Sequence, residues 1–88
     1  MIDPPETIGP RLKALRKALG YKSQVAFAKS IGVEKNTYNP WETGSRALTF
    51  EGACSIHKNH RIPLDYLFFG EQLDQLPAKV HRELMQAA

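Results

Sequence analysis

The chain has 88 residues, of which 42% are hydrophobic, and a net charge of +3 at neutral pH. This length supports one small domain with a single modest core. The lone cysteine, Cys54, excludes an internal disulfide, and no apolar run approaches the ~18 residues that a membrane span requires. The first ten residues carry acidic side chains and prolines where a secretory signal needs basic and apolar ones, so we expect a cytoplasmic protein.

Positive charge is concentrated in the middle of the chain. Residues 11–61 carry ten Lys or Arg and three Glu, a local net charge of +7, whereas the first ten residues and residues 62–88 each contribute −2. A basic centre is typical of a protein that binds a polyanion. The alternative is a solvated basic face with no partner, and charge alone does not separate the two.

Helical spacing of apolar residues dominates the N-terminal third. It predicts a first helix over residues 8–19, with Thr7 as its N-cap and Pro10 in its first turn. Gly20 suits the left-handed conformation that ends such a helix. A second helix is predicted over residues 23–31, with Ser23 as its N-cap.

Two more helices follow beyond the middle of the chain. One starts after Thr49, its expected cap, and ends near His60. Pro63 begins a short helix that Gly70 stops. Since no alternating apolar run of strand type occurs, the fold class is all-α, a compact bundle of about five short helices.

The sequence changes character after Gly70, where a polar connector precedes a helical stretch that Pro77 opens. Val80, Leu84 and Met85 give this stretch a narrow apolar edge. Two interpretations stay open: a helix that folds back on the domain, or a dimerisation helix. A helix this short is marginal unless it packs on something.

Residues 23–44, SQVAFAKSIGVEKNTYNPWETG, combine a short helix, a Gly-Val turn and a second short helix. This is the unit that places a helix in the DNA major groove. From about residue 8 to residue 70 the sequence resembles helix-turn-helix proteins of phage-repressor type (lambda repressor and Cro, the XRE type). The resemblance implies a DNA-binding domain over residues 8–70, an N-terminal tail of residues 1–7, and a connector and C-terminal helix over residues 71–88.

The resemblance also implies a function, the sequence-specific binding of double-stranded DNA by a transcriptional repressor. Such proteins work as homodimers on two-fold operators. The C-terminal apolar edge is one expected joining surface, and Phe68 with Phe69 is the other. The alternative function is a protein-interaction or antitoxin-like module that keeps the fold with little or no DNA binding.

The resemblance assigns the base-reading residues to the start of the second motif helix. Lys35 and Asn36, with Asn39 one turn further on, occupy the positions that reach base edges. Lysine donates to guanine, and asparagine bonds adenine through two atoms. Thr37 is short enough to bond a phosphate oxygen or touch a thymine methyl.

Supporting roles follow from the same resemblance. Gln24 stands where the family carries a glutamine that bonds a phosphate and braces the recognition helix. Arg46 stands where a basic residue lies over the backbone or minor groove. Arg16 and Glu42 match the structural ion pair between the first helix and the end of the recognition helix.

Pro40 departs from the family pattern because it lies within the expected recognition helix. Proline removes one helix hydrogen bond and restricts the residue before it. The sequence therefore predicts either a kink at residues 39–40 or a new turn that Asn39 caps.

Other residues also depart from the pattern. Tyr38 replaces an aliphatic residue and is expected, like Trp41, to pack inward. Gly52 should weaken its helix by about 1 kcal/mol relative to alanine. His60 replaces an apolar residue, and Arg61 replaces a glycine.

Catalytic patterns are missing from the sequence. It has no Gly-rich phosphate loop, no HExxH and no Gly-x-Ser-x-Gly, and its histidines have no metal-ligand spacing. Cys54 is expected to be a small buried thiol within a helix. We therefore expect no enzyme activity, cofactor, metal, small-molecule substrate or membrane partner.

Overall fold

The computed structural model describes residues 1–87, which form six α-helices, one 3₁₀ turn and no strand. The helices are α1 (Pro5–Ala18), α2 (Gln24–Ser30), α3 (Lys35–Thr43), α4 (Phe50–His60), α5 (Leu64–Phe69) and α6 (Ala78–Ala87), with the 3₁₀ turn at Leu73–Gln75. The predicted all-α fold, a bundle of about five short helices with a C-terminal helical extension, is confirmed. Ala88, the last residue of the predicted extension, lies outside the described residues.

Two predicted N-caps are confirmed by their hydrogen bonds. The Ser23 Oγ accepts from the Ala26 N–H at 3.1 Å, and the Thr49 Oγ1 accepts from the Gly52 N–H at 2.9 Å. Each bond satisfies one of the free N–H groups at a helix start, which fixes where α2 and α4 begin.

The start of α1 was predicted three residues too late, and Thr7 is not its cap. Pro4 occupies the cap position and Pro5 the first helical one, where a missing N–H costs nothing. The Pro4 carbonyl accepts from the N–H groups of Thr7 and Ile8 at 2.9 and 3.0 Å. Pro10 consequently lies in the second turn of α1 rather than in its first.

Arg11 anchors the segment that was predicted to be an N-terminal tail. Its guanidinium pairs with Asp3 Oδ2 at 2.7 Å and donates to the Leu67 carbonyl at 3.1 Å. The Asp3 N–H also donates to the Phe68 carbonyl at 2.9 Å. The chain is therefore held against α5 before α1 begins.

The core is formed by side chains from α1 to α5, and residues of the C-terminal elements pack on it. Its largest fully buried side chains come from α1 to α5 and the loop between α4 and α5: Leu12, Leu15, Phe27, Tyr38, Ile56, Ile62 and Leu67. Trp41 is buried beside Tyr38, so both aromatic residues of α3 pack inward as expected.

His60, where the resemblance predicts an apolar residue, packs in an aromatic cluster. Its ring stacks on Phe27 with centroids 5.3 Å apart, and its Nε2 lies 2.9 Å from the Ser30 Oγ. Burial lowers the pKa of His60, which favours the neutral ring where α4 packs against α2. Its neighbour Arg61 takes the left-handed conformation, at φ 59°, that a glycine would adopt more readily.

The C-terminal helix folds back on the domain. Val80 is only 3% exposed and belongs to the core with Leu76, while Leu84 packs against the same cluster. Met85 alone of the predicted apolar edge remains half exposed. Of the two interpretations of this helix, the structure shows the fold-back on α1, so Val80 is not exposed to join two copies.

Gly52 in α4 has a packing role that cannot be seen from its low helix propensity. A Cβ atom added there would lie 2.8 Å from Cζ3 of the Trp41 ring and closer still to its Cη2. Trp41 is buried and cannot move aside, so the absence of a side chain at position 52 allows α3 and α4 to approach closely.

Gly52→Ala should therefore destabilise the protein, although propensity alone favours alanine. The overpacking cost of about 1–3 kcal/mol exceeds the propensity gain of about 1 kcal/mol. Urea unfolding followed by circular dichroism measures the difference. Ser55→Ala on the same helix is the control and should stabilise slightly, whereas a more stable Gly52→Ala variant would contradict the packing role.

Candidate nucleic-acid interface

Three buried side chains define the inner face of α3. Tyr38, Trp41 and Glu42 are buried and fall on one side of the helix. Asn36 and Pro40, four residues apart, lie on the side that stays open to solvent. Burial of three large residues thus turns the opposite face of α3 outward.

The predicted base-reading residues differ in their exposure. Lys35, Asn36 and Thr37 form the first turn of α3 and are all exposed. Asn39 is half-buried, and it does not line the cleft between α3 and the loop that follows it. The first turn therefore offers polar side chains that a ligand can reach.

Pro40 lies inside a continuous α3, whose N-cap position is Glu34. The prediction that Asn39 caps a new turn is wrong. The helix tolerates proline because only the Asn36 carbonyl loses its helix donor, and Asn36 is exposed to water.

The loop after α3 folds back on the helix. Gly44 ends α3 in the left-handed conformation, at φ 82°. The Pro40 carbonyl then accepts from the Arg46 N–H at 3.1 Å and from the Thr43 Oγ1 at 3.3 Å. Sequence reasoning missed this use of the Pro40 carbonyl, because a backbone acceptor leaves no residue pattern.

A cleft of about 530 Å³ lies between the outer face of α3 and this loop. Its walls are Asn36, Thr37 and Pro40 on one side and Arg46, Ala47 and Thr49 on the other. The structure thus brings together three of the predicted site residues, Asn36, Thr37 and Arg46. Gln24, Lys35 and Asn39 do not line the cleft.

Arg16 and Glu42 form a buried, bidentate ion pair. The Arg16 Nε donates to Glu42 Oε2 at 3.0 Å, and its Nη2 donates to Oε1 at 3.1 Å. The Arg16 Nη1 donates to the carbonyls of Tyr21 and Lys22, at 2.9 and 2.8 Å. The Gln24 Nε2 donates to Glu42 Oε1 at 3.1 Å, so one carboxylate joins α1, α2 and α3.

Hydrogen bonding keeps Glu42 ionised in this site. Burial alone would raise its pKa, but the Arg16 guanidinium and the Gln24 amide hold the pKa below its usual value. Burial and the nearby Glu42 carboxylate raise the pKa of Tyr38, whose hydroxyl has no hydrogen-bond partner among residues 1–87. The folded structure therefore favours the charged form of Glu42.

Gly9 permits α1 to cross α3 beside this ion pair. A Cβ atom at Gly9 would lie 2.5 Å from the Glu42 carbonyl oxygen and 3.1 Å from the Gly44 backbone nitrogen. The role of Gly9 was not predicted from the sequence, although an isolated glycine in a helical pattern is a signal of close packing.

Acid should weaken the protein through Glu42. A carboxylate whose pKa is depressed by folding contributes stability that is present above its unfolded value of 4.5 and is lost as the pH falls through the folded pKa. Glu42→Gln should cost about 3 kcal/mol near neutral pH, because the buried Arg16 loses its counter-charge.

The measurement is urea unfolding of both proteins from neutral pH to below pH 4.5. We expect the difference between them to shrink as the pH falls. Asp3→Asn, which removes the more exposed ion pair with Arg11, is the control and should cost about 1 kcal/mol or less. A Glu42→Gln cost that stays constant with pH would contradict the role of the ionised carboxylate.

Comparison with known proteins agrees with this geometry. A family model described as helix-turn-helix matches residues 12–67, more than half of the chain. No curated protein and no solved structure matches the chain significantly. No helix in the described part of the chain has the length and apolar character to cross a membrane. The chain belongs to the helix-turn-helix family of phage-repressor (XRE) type, whose members are DNA-binding transcription regulators and typically not enzymes.

Proposed function

We propose that the protein binds specific sites in double-stranded DNA and acts in the cytoplasm as a transcriptional repressor of phage-repressor type. The observation that carries the proposal is the cleft in which Asn36 and Thr37 of α3 face Arg46 of the following loop. An exposed first helical turn enters a major groove, and a basic loop beside it meets the phosphate backbone.

Base reading falls to the first turn of α3. Asn36 is exposed and presents an amide that matches the N6 and N7 atoms of adenine, while Lys35 donates to guanine. Asn39 is a weaker reader in this arrangement, since it is half-buried and does not line the cleft. The buried Arg16–Glu42 pair supports the proposal by holding α3 at a fixed angle to the other helices.

Gln24 has two functions in the proposal. One amide hydrogen is used by the bond to Glu42, which braces α3. A glutamine amide carries a second hydrogen, and that hydrogen is available to donate to a phosphate oxygen. Phosphate contact and bracing therefore coexist in one side chain.

The basic residues that are not engaged in ion pairs support a polyanionic partner. Of the ten basic residues between positions 11 and 61, Arg11 and Arg16 are engaged with carboxylates. The other eight are exposed. They include Lys35, which belongs to the first turn of α3, and Arg46, which lines the cleft.

Binding to duplex DNA should be strongly salt-dependent. Each neutralised phosphate steepens the log–log slope by about 0.9, so Arg46→Gln should reduce the slope by about that amount. Lys79→Gln on α6, remote from α3, is the control and should leave the slope unchanged. The measurement is fluorescence anisotropy of labelled duplex at several salt concentrations. Binding that is absent or flat with salt would contradict the proposal and favour the protein-interaction alternative.

Base reading and phosphate contact should be separable by substitution. Asn36→Ala should cost about 1–3 kcal/mol on the selected site and little on other duplexes, because only base contacts carry sequence information. Gln24→Ala should weaken all duplexes together. Asn59→Ala, an exposed asparagine on α4, is the control. Equal losses on every duplex for the Asn36 and Gln24 variants would contradict the assigned roles.

We further propose that two copies bind one two-fold operator, because a single short reading helix contacts few bases. Phe68 and Val80 are buried within the domain, which leaves Phe69 and Met85 as the exposed members of the predicted joining surfaces.

Analytical ultracentrifugation, with and without a duplex of two half-sites, tests the dimer. We expect a stoichiometry of two proteins per duplex and cooperative binding. Met85→Lys or Phe69→Lys should abolish cooperativity, according to which surface joins the copies. Independent binding of the two half-sites by the unmodified protein would contradict the dimer.

A further inference from the structure

Pro40 is an unusual residue in the middle of a helix that is proposed to read DNA. It is the sixth residue of α3, and it is half-buried rather than part of the hydrophobic core. It lines the cleft together with Asn36 and Thr37. Proline costs the helix one hydrogen bond. Its presence at the open cleft therefore indicates that its side chain has a function there.

We propose that the Pro40 ring and the Thr37 methyl form an apolar surface that recognises the 5-methyl group of a thymine in the operator. The inference rests on the proposed function and adds one feature of the half-site, a thymine next to the base pair that Asn36 contacts. It makes Pro40 a specificity-determining residue.

Helix geometry places these side chains together. Thr37 and Pro40 are three residues apart and Asn36 and Pro40 four, so all three share the outer face of α3. In the major groove the 5-methyl is the one apolar group that a base pair presents, and it lies beside the hydrogen-bonding atoms. An apolar patch adjoining an asparagine amide matches that arrangement.

The backbone of residue 40 also holds the loop that follows α3. Its own carbonyl accepts from the Arg46 N–H at 3.1 Å, so the loop that carries Arg46 is fixed to the residue that faces the base. The apolar surface and the neighbouring cationic side chain thereby keep a constant spacing. An alanine at position 40 would keep the carbonyl but lose the ring.

The test replaces each thymine of a selected operator by uracil, which removes only the methyl group. We expect one thymine per half-site at which uracil weakens binding about fourfold, the factor that corresponds to one buried methylene-sized group. Anisotropy titrations of the full-length protein measure the change.

Two substitutions assign the effect to the proposed residues. Pro40→Ala restores a helix N–H, so it should fold at least as well as the unmodified protein, and it should lose most of the sensitivity to uracil. Thr37→Ser keeps the hydroxyl and removes only the methyl, and it should lose part of the sensitivity. Pro10→Ala, which removes the corresponding proline of α1, is the control and should keep all of it.

Three outcomes would overturn the inference, and the third would also overturn the proposed function. Operator binding that is indifferent to uracil at every position overturns it and leaves the proposed function intact. Full sensitivity in the Pro40→Ala variant also overturns it, because the methyl is then recognised elsewhere. A protein that selects no duplex sequence overturns the proposed function and this inference together.

Discussion

The buried ion pair between Arg16 and Glu42 is the interaction on which the placement of α3 depends. Glu42 accepts from both Arg16 and Gln24, and Arg16 also donates to two carbonyls in the turn before α2. Burial of two charges carries a desolvation cost that is recovered only when the geometry is nearly ideal. Any rotation of α3 would leave a buried charge without its partner, so the pair selects one orientation of the helix.

Two glycines make that orientation sterically accessible. Gly9 lets α1 approach the backbone of α3 at Glu42, and Gly52 lets α4 approach the buried ring of Trp41. The helix is therefore held by an ion pair on one side and by aromatic packing on the other. Only the face that carries Asn36 and Pro40 remains free to meet a ligand.

Sequence reasoning predicted features that depend on neighbouring residues. The caps at Ser23 and Thr49 each involve a bond to an N–H three residues away, so a local pattern is sufficient to find them. The start of α1 was misplaced because both Thr7 and the prolines before it are good helix starts, and the bond of Asp3 to α5 is not visible in sequence. The inward side of α3 followed from helical periodicity and family resemblance.

Features that depend on tertiary contacts were harder to predict. Gly52 looks unfavourable by helix propensity, and its value emerges only from the position of Trp41. The burial of Val80 was only one of two open interpretations, because nothing in the sequence shows that α6 returns to α1. In the site, the residue types of the first turn were identifiable, whereas the approach of Arg46 to Asn36 depends on a hydrogen bond to the Pro40 carbonyl.

The most direct test of this account exchanges the ion pair for an apolar pair, Arg16→Met with Glu42→Leu. Replacement of a buried pair by apolar residues of similar volume is often neutral or stabilising, so the double variant should remain folded. Because α3 is no longer held by Arg16 or Gln24, we expect the variant's affinity for the selected operator to fall about tenfold or more, ~1.4 kcal/mol, with little change on non-specific DNA. A folded double variant that binds the operator as tightly as the unmodified protein would contradict the account.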